Sequence, residues 1–265
     1  MGGSITDMTM HSKTEREGNA GPPAPSVTVL LPTYNERDNI RPLIESVFRH
    51  VPPGSEVVVV DDDSPDGTWR VVEDLMPSRP GLRLLRRTAD RGLTASLRDG
   101  IAAARGEIIV WLDCDLSMPP EVIPDLLGGI ARGADVAVGS RFVQGGGVEI
   151  VTGSGDTLMA YVLSRVLNRF VRTVLGGSFK DYTSGFIAVK REVLDAVPLR
   201  GDYGEYFIDL IHRARGRGFR IEEHPYLCRA RKTGVSKTGT RFAHYLKKGW
   251  KYFGLTLRLK ISRGS

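Results

Sequence analysis

Cysteine is nearly absent: Cys114 and Cys228 are the only two in 265 residues. That excludes a disulfide framework and a thiolate zinc cluster, and it fits a reducing compartment. Long apolar runs are absent too. No stretch approaches the ~18–20 apolar residues that a membrane-spanning helix needs, so the chain is expected to be soluble or peripheral. No G-x-G-x-x-G follows the first predicted strand and no G-x-x-x-x-G-K-[ST] occurs, which argues against a dinucleotide oxidoreductase and a P-loop ATPase. Any phosphate must then be held by metal and basic side chains. Residues 1–26 lack a secretory hydrophobic core and apolar periodicity, and read as a flexible tail.

What is present is a globular composition, 41% hydrophobic and 26% charged, with a formal charge of +6. The basic balance calls for an anionic partner: a nucleotide diphosphate, nucleic acid or an acidic lipid surface. From residue 27 onward short apolar runs alternate with helix-period segments. Strands are predicted at 27–31, 56–60, 81–85, 107–112 and 134–139, with helices at 38–50, 67–75, 93–104 and 120–131. This alternation predicts an α/β, Rossmann-like, mostly parallel sheet flanked by helices, with ligands at the carboxyl ends of the strands.

The polar residues cluster at those ends. Asp113 and Asp115 close the apolar run 107–112 one residue apart. Side chains at i and i+2 of an extended chain point the same way, so both can converge on one Mg²⁺ or Mn²⁺ beside a substrate diphosphate. Taken alone, such a pair also fits a solvated loop. Asp61 and Asp62 end the second strand as consecutive acids whose repulsion a ligand could relieve. Ser64 and Asp66 read as residues that shape the loop and cap the following helix.

In order, LPTYNE (31–36), VVVVDDDSPDGT (57–68), RGLTASLRDGIAAARGE (91–107), LDCDLSMPPE (112–121), VGSRF (138–142), DYTSGF (181–186) and RKTGVSK (231–237) are the carriers of a family resemblance. The chain resembles the inverting family 2 glycosyltransferases of GT-A fold, and among them the polyprenol (dolichol) phosphate mannose synthases. The resemblance implies that Pro32, Tyr34, Glu36, Asp61, Asp62 and Asp113 line a nucleotide pocket. It implies that Asp113 and Asp115 bind the metal, with Ser117 standing where the family often has Gln. Arg141 would reach donor or acceptor phosphate, and Arg231, Ser236 and Lys237 would close over the phosphates. The basic stretch that the family commonly uses to grip a lipid phosphate is replaced by residues 150–156, where Ser154 retains part of that role.

The implied reaction is metal-dependent transfer of a hexose, by family default mannose from GDP-mannose, to polyprenyl monophosphate at the cytoplasmic face of a membrane. The alternative is a soluble glycosyltransferase acting on a hydroxyl, which would need a base; Asp209 is the candidate, with a structural role on a helix as its competing reading. A third is a non-catalytic adaptor at the membrane surface. Residues 157–175 form an apolar stripe with Arg165, Arg169 and Arg172 on the remaining face, and 244–260 interleave aromatics with cations. Both fit helices lying on an anionic membrane surface, and a membrane-anchoring protein partner is conceivable. Nucleic acid is not an expected partner, since no RNA-binding signature is present. The organisation predicted is a tail (1–26), a GT-A domain (27–238) and a basic amphipathic segment (239–265).

Overall fold

The computed structural model of the chain describes residues 26–149, 155–230 and 242–261. The first half alternates as predicted: β1 (Val27–Thr33), α1 (Arg37–His50), β2 (Glu56–Asp61), α2 (Thr68–Leu75), β3 (Leu82–Arg86), α3 (Leu93–Ala103), β4 (Ile108–Trp111), α4 (Ile123–Ala131) and β5 (Val136–Ser140). Then come β6 (Gly147–Val148), α5 (Gly155–Leu175), β7 (Ile187–Lys190), α6 (Arg191–Ala196), α7 (Glu205–Gly216), β8 (Ile221–Pro225), β9 (Leu227–Cys228) and α8 (Phe242–Ile261).

Seven strands form one sheet in the order β3-β2-β1-β4-β7-β5-β8. β1, β2, β3 and β4 are mutually parallel, and β5 pairs parallel with β8. The short run Ile187-Ala188-Val189-Lys190 was not among the predicted strands. It enters antiparallel between β4 and β5, pairing Val110 with Ala188 on one side and Ala137 with Ala188 on the other. A strand antiparallel to both neighbours leaves β4 and β5 pointing the same way, so their carboxyl ends share an edge with those of β1 and β2.

Strand side chains alternate between faces, and two cores follow. Leu30, Val58, Val60, Ile109 and Trp111 face α3, α5 and α7. Val29, Leu31, Val57, Val59 and Val110 face α1, α2 and α4. The central strands are buried on both sides, which explains why they read as unbroken apolar runs rather than as alternation. α8 lies outside the first layer and packs on α5 and α7, with Tyr252, Leu255 and Leu259 turned to the core.

Candidate active site

A cavity of about 530 Å³ opens at the carboxyl edge of the sheet. Its wall is built from the ends of β1 (Pro32, Tyr34, Glu36), β2 (Asp62) and β4 (Asp113, Asp115). Six residues predicted from separate stretches of sequence thus meet in one place. Buried strands deliver them, because the chain can turn polar only where the sheet ends.

The backbone around this cavity is strained. Asn35, Asp63, Asp90 and Leu116 have φ of 55°, 57°, 49° and 63°, one in the loop after each of β1, β2, β3 and β4. The left-handed region disfavours side chains, and a bulky leucine there is a genuine outlier. Leu116 sits beside Asp115, whose Oδ1 accepts hydrogen bonds from the Ser117 amide at 3.0 Å and the Ser117 hydroxyl at 2.6 Å. Ser117, expected as a further metal contact, orients the Asp115 carboxylate through these two bonds. A hydroxyl two residues along the loop is close enough to bond back to the carboxylate.

The adjacent acids of β2 have different employments. Asp61 is fully buried, accepts the Ser64 amide and hydroxyl at 2.8 and 2.6 Å, and does not line the cavity. Burial pushes its carboxyl pKa up, against the opposing pull of the Ser64 hydrogen bonds. In this structure the Asp61 carboxylate braces the loop after β2. Ser64 in turn accepts the Asn35 amide, and Asp66 accepts the Thr68 amide and hydroxyl, which is the loop-shaping role expected of both.

Asp62 does face the cavity, but protein groups compensate its charge. It pairs with the buried Arg87 guanidinium and accepts the Ser96 hydroxyl at 2.8 Å and the Gly92 amide at 2.7 Å. Gly92 has φ 144°, a conformation that L side chains rarely adopt, and so brings its N–H to the carboxylate. Arg87 also bonds Asp99 and the Asp90 carbonyl. Sequence reasoning missed Arg87. The available signal was Arg86-Arg87 at the end of the third strand, whose register sets Arg86 beside Asp61. Also missed were Arg91 and Tyr203, which line the cavity from the turn before α3 and the loop before α7. Neither lies in a strand-end acidic cluster.

Glu36 is buried and accepts the Asn39 side-chain amide at 2.7 Å, while its own N–H donates to Thr68. Cys114, between the two aspartates, is buried and donates its thiol to the Pro32 carbonyl at 3.3 Å. It ties the β4 loop to the β1 loop.

Arg141 does not join this cavity. Its Nε and Nη2 donate to Asp181 at 2.9 and 2.7 Å, Nη2 donates to Thr183, and its amide donates to Asp181. Burial disfavours the charged guanidinium, but the Asp181 carboxylate more than offsets this and holds its pKa above the ordinary value. It lines a second groove beside α5. Asp209 lies buried on α7, paired to Arg213 at 3.0 Å and outside the cavity wall. That pairing fits the structural role that was the competing reading of this acid. Ser154, Arg231, Ser236 and Lys237 lie outside the described residues.

A mostly parallel sheet whose strand ends gather a nucleotide-sized cavity and a paired-aspartate loop is the architecture of the GT-A glycosyltransferases. The glucosyl-3-phosphoglycerate synthase of Mycobacterium tuberculosis, solved with Mn²⁺, UDP and its product, superposes with a TM-score of 0.65 over 89% of this chain and 80% of that one; at 22% identity the likeness is one of fold. The family profile described as Glycosyl transferase family 2 matches residues 28–197, and the chain belongs to that family. It is 36% identical to the polyprenol monophosphomannose synthase of Mycolicibacterium smegmatis over 94% of this chain and 97% of that one. It is 35% identical to the dolichol-phosphate mannosyltransferase of Pyrococcus furiosus over 83% of this chain, which spans 62% of that protein's length.

Proposed function

We propose that the protein transfers mannose from GDP-mannose to a polyprenyl monophosphate at the cytoplasmic face of a membrane, with inversion at the anomeric carbon. The observation that carries this reading is the meeting of Asp113 and Asp115 with the β1 and β2 ends in one cavity. The names of the two relatives support the choice of sugar and lipid.

The two aspartates offer hard oxygen donors, and among the described residues no group of three or more His, Cys, Asp or Glu converges. That fits Mg²⁺ or Mn²⁺, which keep water and substrate phosphate in several coordination positions rather than an all-protein cage. Asp113 and Asp115 would hold such an ion, which would supply positive charge beside the departing diphosphate. Pro32, Tyr34, Glu36 and Asp62 take the nucleoside, with Asp62 held in place by Arg87. The acceptor phosphate is assigned to Arg141, held by Asp181, with Ser154, Arg231, Ser236 and Lys237, and the positive field that would let two anionic substrates approach falls to Arg231 and Lys237.

A phosphomonoester has a second pKa near 6 and is largely dianionic at neutral pH, so its oxygen attacks without a general base. The displacement of Asp209 from the cavity wall agrees with that economy. None of the described helices is long and apolar enough to cross a membrane, and the basic helix α8 is assigned to the membrane surface, alone or with an anchoring protein partner.

The experiment is incubation with labelled GDP-mannose, Mg²⁺ or Mn²⁺ and a short polyprenyl phosphate. The expected result is a solvent-extractable mannosyl lipid that depends on metal and falls about 10²–10³-fold in Asp115→Asn, the scale of one lost transition-state contact. No lipid product with the unaltered protein, or full activity in Asp115→Asn, overturns the reading.

A further inference from the structure

Arg141 stands in the wall of a groove of about 630 Å³ along α5. Because Asp181 balances its charge, what this guanidinium offers an acceptor phosphate is a directed hydrogen-bond donor rather than a net positive field. Its Nε and Nη2 are taken by Asp181 and Thr183, while Nη1 forms no hydrogen bond among the described residues. The direction of Nη1 is therefore set by where Asp181 is held.

Asp181 is fully buried in the loop that precedes β7, and Glu223 of β8 fixes that loop. The Glu223 carboxylate accepts the Lys180 amide at 2.8 Å on Oε2 and the Asp181 amide at 3.0 Å on Oε1. Strand pairing brings it there: β8 runs parallel to β5 with Glu223 opposite Val138, and Arg141 follows directly on the end of β5. Side chains alternate along a strand, so the neighbouring Glu222 turns to the other face, where it pairs with Arg132 at 3.1 Å.

Glu223 forms no ion pair among the described residues, although the Asp181 carboxylate is near enough to act on it. Burial and, to a smaller extent, the Asp181 charge push its pKa up, against the pull of Ser140 and the two amides. A part-buried acid set beside another acid without a cation of its own breaks a local rule of stability, and such breaches gather where function demands them. Glu223 also lies outside every motif that carried the family resemblance.

We propose that Glu223 is a positioning residue for the acceptor: by fixing the backbone of Lys180 and Asp181 it sets the Asp181 carboxylate, and through that carboxylate it aims Arg141 at the acceptor phosphate. The inference rests on the lipid-acceptor reading above and adds to it a residue that does not itself touch substrate.

The test uses the full chain and E223Q, with E222Q as the control on the same strand. Glutamine keeps the shape but has a single acceptor oxygen, so its NH2 confronts one of the two amides. With labelled GDP-mannose, metal and short polyprenyl phosphate, E223Q is expected to raise the acceptor KM about 10-fold, the scale on which an outer residue tunes the group it orients. The donor KM and the binding of GDP stay at the unaltered level, and E222Q changes neither KM. In an R141K background, where the ammonium keeps the charge but lacks Nη1, E223Q adds no further rise, because it acts through Arg141. E223D, which keeps the charge and shortens the reach, gives a smaller split in the same direction and replaces E223Q if that variant does not fold.

An unchanged acceptor KM in folded E223Q overturns the inference. So do equal rises in both KM values with a lowered melting temperature, which would make Glu223 structural alone, the same split in E222Q, or a full further rise on R141K. No lipid product from the unaltered protein overturns the function above and this inference with it, whereas product with an unsplit E223Q overturns the inference alone.

Discussion

At Asp62 and Arg87 two opposite charges are buried together beside the cavity, with side chains 9% and 5% exposed. Removing one partner of such a pair strands the other charge, whereas an apolar exchange of both is far better tolerated. Arg87→Met is therefore expected to cost about 3–5 kcal/mol in urea unfolding. Adding Asp62→Asn to that variant recovers much of the loss and leaves donor KM raised, since Asp62 is assigned to the nucleoside. An unaltered unfolding midpoint in Arg87→Met would contradict the pairing. The acids of β2 were legible as unusual from their run alone. Their division of labour was not, because Ser64 and Arg87 reach them from loops whose approach depends on strand pairing. Ser117 teaches the same lesson: its place after the paired aspartates pointed to the metal, and only the folded loop shows its hydroxyl donating to Asp115.

Among the elements, α8 is coupled to the cavity through the loop that precedes α7. Tyr203 lines the cavity, Lys251 pairs with Asp202 at 3.0 Å, and Tyr252 stands against Gly204. A Cβ built on Gly204 would lie 2.1 Å from the Tyr252 hydroxyl oxygen. Gly204 has φ −56°, so alanine is acceptable to the backbone and only the close approach forbids it. Gly204→Ala is expected to destabilise by about 1–3 kcal/mol, the usual cost of overpacking, and to loosen α8 in limited proteolysis. Tyr252→Phe in the same chain removes the clashing oxygen and restores most of that stability; failure to do so would place the strain elsewhere. The amphipathic patterns of α5 and α8 were readable in sequence. Their packing on each other was not, since each pattern fits equally a core helix and a surface one. The strand β7 escaped for a related reason: three apolar residues and a lysine carry too little periodicity, and only the pairing partners β4 and β5 make them a strand.

For the molecule as a whole, Glu56 is a staple at the edge of the sheet opposite the cavity. Its carboxylate accepts Thr28 from β1, the Arg105 amide before β4 and Arg83 from β3. Burial pushes its pKa up, but these donors outweigh that push and hold it below the ordinary 4.5. A lowered folded pKa means that the staple is fully stabilising above 4.5 and is lost as pH falls through the folded value. Glu56→Gln is expected to lower the melting temperature at neutral pH and to flatten its decline on the acid side. A parallel acid decline in both proteins would assign that limb to other carboxylates. The order of elements, the doubly buried strands and the paired aspartates at a strand tip were determined by sequence alone, because burial on both faces and the polarity of strand ends are local properties of the chain. Which acids face the cavity, which are bonded as braces, and where the cations of α5 stand were decided only by the tertiary structure. Hydrogen bonds and ion pairs between residues about 30 or more apart, such as Asp62 with Ser96 and Arg141 with Asp181, form only once the strands are in register.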